Sequence, residues 1–331
     1  MPDGSQVHQD EPGDAMTRDD ENDRPEKAAE ALESLSARKL SRRAMVRAFL
    51  LGGLGALGVW HMSRPGELPL DVVRRATRDM PSCKVTAEGV REWTSQEELI
   101  AGLRKGLDGI GGIRSIVPNG STVFIKPNLV RHDNQFDPRV VPALVQLIEE
   151  AGAERVFVGD NAPAPTRYTA DSIGLLRHLR QTDAEFVEVE RGTFSMVDIP
   201  HGVAVKEAPM PNQMLDADVL VNVAFFKKHP HYKVNYSLAL KNLMGLVRFQ
   251  DIVHLVHPVL EDGISDLVST LTPQLNIVDM LGTPAKTVVM GTHPAVVDRV
   301  AMDLYGEKDI PIYLQRAFAR FSEVLAECDG S

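Results

Sequence analysis

Residues 121–160 read STVFIKPNLVRHDNQFDPRVVPALVQLIEEAGAERVFVGD, and they decide the fold. Ser121 to Lys126 is a β-branched, apolar run bounded by Pro118-Asn119-Gly120, the signature of a buried strand. Asp137-Pro138 then opens a helix that carries Val141, Leu144, Val145 and Ile148 on one face and ends at Gly152. Arg155 to Gly159 is a second buried strand. A strand, a helix and a strand within forty residues, with almost no polar residue inside either strand, is the unit of a sheet covered on both faces.

The same alternation extends outward. Thr94-Ser95 followed by Glu97-Glu98-Leu99 starts a helix that runs to about Leu107. Downstream, the pattern predicts helices over 172–181, 264–271 and 294–305, and strands over 185–189, 219–223, 275–278 and 287–290. The expected fold class is α/β, with a parallel or mixed sheet and helices on both faces.

Composition sets the organisation around that core. The chain has 331 residues, 43% of them hydrophobic, enough to bury a full interior. Its net charge of -10 is concentrated at the start, where residues 1–30 hold ten acids against Arg18, Arg24 and Lys27. That stretch lacks apolar periodicity, so residues 1–37 read as a disordered acidic tail. With the tail set aside, little charge imbalance remains and no basic face points to nucleic acid. The two cysteines, Cys83 and Cys328, belong to no close-spaced set, so no cysteine-ligated cluster is expected.

Residues 38–64 read as a targeting segment. Arg38, Lys39, Arg42, Arg43 and Arg47 precede or enter the apolar run Ala48 to Trp60. Thirteen helical residues reach roughly 20 Å, short of the ~30 Å hydrocarbon core, so a signal peptide fits better than a stable span. Ser41-Arg42-Arg43 resembles a twin-arginine export signal, with the export machinery as partner and a periplasmic or membrane-associated destination. Membrane contact through residues 48–60, as an uncleaved anchor, is the alternative. Gly53 to Gly58 spells G-x-G-x-x-G, but no strand precedes it and Pro65 ends any helix after it, so it is a decoy. Residues 65–331 are then the α/β domain.

Open sheets of this class bind ligands beyond the carboxyl ends of their strands. Lys126 and Asn128 end the first strand, Asp160 the second and Asp279 a later one, while Lys227 and His229 follow the strand over 219–223. Lys241-Asn242 and Asp298 complete the candidate ligand-binding and catalytic set. The stretches Lys126-Pro127-Asn128-Leu129, Asp216-Ala217-Asp218-Val219 with Lys227-Lys228-His229, Ala239 to Leu246, and Gly291 to Asp298 resemble the family called domain of unknown function 362. The resemblance covers roughly residues 85–310. It implies an α/β fold with no assigned reaction. The chain departs from the family pattern in a shortened loop, Met280 to Met290, and in His293, where an acid is commoner.

Ammonium groups and an asparagine amide at strand ends make a donor-rich pocket for carboxylate or phosphate oxygens. A lysine desolvated beside another cation also has a lowered pKa, which makes Lys227 or Lys241 a general base with His229 as its acid partner. The expected partner is a small anionic molecule. Two functions fit: an isomerase, lyase or reductase using lysine and histidine acid–base chemistry, or a binding protein for an anionic metabolite or chelated metal. The same residues also fit a structural role, with Lys241-Asn242 capping a helix or pairing with Asp279 or Asp298. Four of the ten histidines lie within thirty residues, and His254 and His257 at i,i+3 make a divalent metal a candidate cofactor. Pro258 and the lack of a compact ligand motif weigh against that metal.

Overall fold

The computed structural model describes residues 85–89, 95–130, 136–199, 202–229, 236–307 and 309–319. The acidic tail, the targeting segment, the glycine-rich decoy, Cys83, Cys328 and His231 lie outside the described residues. Eleven strands fall within them: β1 Val85–Gly89, β2 Thr122–Lys126, β3 Arg155–Asp160, β4 Glu185–Glu188, β5 Phe194–Asp198, β6 Glu207–Pro211, β7 Val219–Phe225, β8 Lys227–Lys228, β9 Tyr236–Ser237, β10 Leu275–Asp279 and β11 Thr287–Gly291. Seven of these form one sheet in the order β1-β11-β10-β7-β2-β3-β4. From β10 to β4 every pairing is parallel, whereas β11 pairs antiparallel with both β10 and β1. The sheet is therefore mixed.

Two apolar layers cover it, one on each face. Along β2, Val123 and Ile125 join the layer that contains α1 (Gln96–Asp108) and α2 (Val140–Ala151), while Phe124 joins the other. That second layer holds α8 (Leu260–Thr270) and α9 (Pro294–Tyr305). Strand alternation thus distributes one short apolar run between two cores. Local chemistry sets the helix ends. Ser95 and Glu98 form a reciprocal capping box at α1. Gly152 closes α2 at φ 99°, a left-handed position where a side chain would also meet Asn119.

The structure corrects one expected helix. In place of a single element over 172–181 stand α3, Thr166–Ser172, and α4, Leu175–Leu179. Gly174 lies between them at φ 82°, and that left-handed residue ends the first helix before the second begins. The antiparallel pairs β5–β6 and β8–β9 were also not expected from the pattern. Both are short, and β8 with β9 has two residues on each side, too few for a period-two signal.

Chain order places the site. From β2 the chain moves to β3 and β4 on one side, then returns to β7 and β10 on the other. The direction of winding reverses between β2 and β7, the switch point where open α/β sheets leave a crevice.

Candidate functional site

At the switch point the crevice is filled by the chain itself. The short helix α6, Ala239–Asn242, and the 3-10 turn Leu243–Leu246 lie over the ends of β2 and β7. Lys126, at the carboxyl end of β2, is 1% exposed and places its Nζ 2.7 Å from Asp160 Oδ1. The same nitrogen donates to Pro127 O and to Asn242 Oδ1, each at 3.0 Å. Three acceptors match the three N–H groups of a protonated ammonium. Burial pulls the Lys126 pKa down and Asp160 opposes the pull. Asp160 also accepts from the amides of Leu129 at 2.7 Å and Asn161 at 2.8 Å.

The network continues across the sheet. Asn242 Nδ2 donates to Asn222 Oδ1 at 2.8 Å, and Asn222 Nδ2 donates to Asn276 Oδ1 at 3.1 Å and to Ala239 O at 2.9 Å. Lys126 and Asn222 are register partners, as are Asn222 and Asn276. A line of polar side chains therefore runs through β3, β2, β7 and β10 beneath α6, each member buried and engaged. Gly245 allows the close fit. A Cβ there would fall 2.6 Å from Asp160 Oδ1 and 2.8 Å from Lys126 Nζ.

This geometry corrects the expected cradle. Lys126 and Asn242 spend their donors inside the protein, and Asn128, 5% exposed, accepts the Val130 amide in a local turn. Asp298 does not pair with Lys241. It is fully buried, and its carboxylate accepts the Ala239 and Leu240 amides at 2.7 and 3.1 Å, capping the N-terminus of α6 from α9. Burial raises its pKa well above the usual carboxylate range, against those two hydrogen bonds. Asp279 does not reach Lys241 either: it accepts the Asp137 and Leu281 amides, each at 2.8 Å, and burial pushes its pKa up to about 7. Beside it, a cleft of about 400 Å³ is lined by Phe136, Asp137, Arg139, His178 and Leu281. Its guanidinium, Arg139, is already bound by Asp137 at 2.6 Å.

Beyond the seam lies a cationic rim. The β8–β9 pair sets Lys227 opposite Ser237, four residues before Lys241, and the Lys227 charge acts on Lys241. Lys227 and His229 are half-buried, and the Lys227 ammonium lies 5.4 Å from the Phe225 ring centroid. Lys241, half-buried on α6, has its pKa lowered to about 8, first by burial and then by Lys227. His257 is lowered by burial and by Lys241, which puts a third nitrogen base at the same rim. Phe225 and Phe226 are both buried, and Phe226 stacks on Tyr305 at 4.3 Å, so they pack the core.

The histidine pair does not form the expected helix face. His254 lies in a π-helical turn, Ile252–Val256, and His257 begins a 3-10 turn, with both largely exposed. Among the described residues, no group of three or more histidine, cysteine or acidic side chains converges on a point that would hold a metal ion. The residues that sequence reasoning missed are Asn222, Asn276 and Gly245. A lone asparagine inside each apolar strand, Val219–Phe225 and Leu275–Asp279, was the available signal.

A mixed α/β sheet with a buried ionic seam under a lysine-bearing rim defines the class of this protein. A family model described as domain of unknown function (DUF362) matches residues 123–306, and the chain belongs to that family. A thylakoid-associated protein of Synechocystis sp. is 31% identical over 155 residues, a match that covers 45% of this chain and 46% of that protein. The chain thus spans less than half the length of that relative. A crystal structure of a Thermotoga maritima protein is similar at a TM-score of 0.33 and 15% identity, over 70% of this chain and 48% of the other.

Proposed function

We propose that the protein binds a small anionic molecule at the rim formed by Lys227 and Lys241. One observation carries the reading. Lys241 is half-buried beside a second ammonium, and among the described residues no carboxylate pairs with it. Desolvating one cation next to another is unfavourable, and a carboxylate or phosphate supplies the counter-charge. The buried seam beneath acts as a rigid floor that fixes α6 and therefore Lys241.

A lysine with a pKa of about 8 also holds an appreciable neutral fraction close to neutral pH, which a proton acceptor requires.

The test is calorimetric titration of inorganic phosphate, succinate and citrate into the whole chain at low ionic strength, where such attraction is least screened. At least one should bind in an enthalpically resolved isotherm, and Lys227→Ala and Lys241→Ala should each weaken it by about tenfold or more. Equal affinities in all three proteins would remove the reading.

Export is a separate proposal that rests on residues 38–64. A folded substrate of a twin-arginine pathway suits a domain with an extensive core, and a thylakoid-associated relative is in keeping with work at a membrane system. Replacing Arg42 and Arg43 with lysine should retain the protein in the cytoplasm; unchanged fractionation counts against it.

A further inference from the structure

The parallel strands β2, β3, β7 and β10 deliver their connections to one rim of the sheet, where open α/β folds bind ligands. The cleft of about 400 Å³ is built from three of those connections: Phe136 to Arg139 follow β2, His178 lies on α4 after β3, and Leu281 follows β10. Its volume falls in the range of small-molecule sites, roughly 300–1,000 Å³. One carboxylate holds two of its walls. Asp279, 2% exposed, accepts the Asp137 amide through Oδ2 and the Leu281 amide through Oδ1, each at 2.8 Å. On the first wall, Phe136 also meets Phe225 edge to face at 6.3 Å. Both walls are thus tied to the end of the sheet, and a ligand is spared the cost of ordering them.

The lining selects against charge. Asp137 Oδ1 accepts from Arg139 N and Nε at 2.9 and 3.0 Å, and Oδ2 accepts from Nη2 at 2.6 Å, so the acid of the lining is committed to its guanidinium. An ion that entered would shed water and meet no net counter-charge. Phe136, Pro138 and Leu281 offer apolar surface instead. The polar handle is His178, half-buried, whose ring nitrogens take no hydrogen bond among the described residues. Burial and then Arg177 hold its pKa below the usual value, so at neutral pH the ring presents one donor and one acceptor. A hydroxyl or a carboxamide can meet either.

We propose that this cleft binds a small uncharged molecule with an apolar body and one hydroxyl or carboxamide group, which His178 engages. It is a second site beside the lysine rim, and the two readings fail independently.

The experiment is saturation-transfer NMR on the whole chain with benzamide, benzoate and benzylamine, three probes of similar shape that differ in charge. Gly282→Phe fills the cleft from an exposed position whose φ is not left-handed. Binding in the cleft is read as the part of each signal that this variant removes, which sets aside binding at Lys227 and Lys241. Benzamide should bind in the millimolar range and lose most of its signal in Gly282→Phe, with an affinity about tenfold or more above those of benzoate and benzylamine. His178→Phe keeps a ring and removes the polar group; it should weaken benzamide by about fivefold and leave toluene unchanged. Benzamide binding that survives Gly282→Phe, no benzamide binding in the wild-type protein, or either ion held in the cleft as tightly as benzamide would overturn the proposal. Melting curves check that Gly282→Phe is folded, and the contrast between benzamide and toluene in His178→Phe decides the question without it.

Discussion

Lys126 Nζ lies 2.7 Å from Asp160 Oδ1 with both side chains removed from water, so two lysines that look alike in the sequence, Lys126 and Lys241, do opposite things. The first is neutralised and locks β2 to β3 and α6. The second stands above that lock without a carboxylate partner among the described residues.

A buried pair of this kind is costly to break from one side and cheaper to remove whole, because a single substitution leaves a buried charge uncompensated. Lys126→Met and Asp160→Asn should each lower stability by about 3–5 kcal/mol in urea unfolding. The double substitution should cost less than the sum of the two. Additive costs would show that the pair is not coupled.

Gly245 tests the same seam sterically. Its added Cβ would press on two charged atoms that are fixed by other bonds. Gly245→Ala should destabilise by about 1–3 kcal/mol, the usual cost of overpacking. A neutral effect would mean that the pair moves freely.

Asp279 predicts a pH dependence. Its folded pKa is raised from 3.8 to about 7, first by burial, so the folded state keeps a proton that the unfolded state has lost. The stability it contributes is fully present below its unfolded pKa and is lost as pH rises through about 7. Melting temperature followed across that window should fall as pH rises, and Asp279→Asn should flatten the fall. A wild-type slope that persists in the variant assigns it to another group.

Much of this fold was legible before any coordinates. Apolar runs such as Val123 to Ile125 announce strands, and Ser95 with Glu98 announces a helix start. The break at Gly174 was missed because a single glycine near the start of a helical pattern does not by itself end it, and only its φ of 82° shows that the chain turns there. The site was half legible. Strand ends located Lys126, Asp160 and Lys227, but sequence cannot show which donors a protein spends on itself. Lys126, Asn242 and Asp298 look like ligand-facing groups until their partners appear, and Asn222 and Asn276 look like flaws in apolar strands until they are seen to meet.

The most direct measurement is the pKa of the Lys241 ammonium by NMR of labelled lysine side chains, with and without succinate. The account predicts titration near 8 in the free protein and a rise when the dianion binds, with no comparable movement in Lys227→Ala. An amine that titrates near 10.5 in the free protein and does not respond to the anion would contradict it.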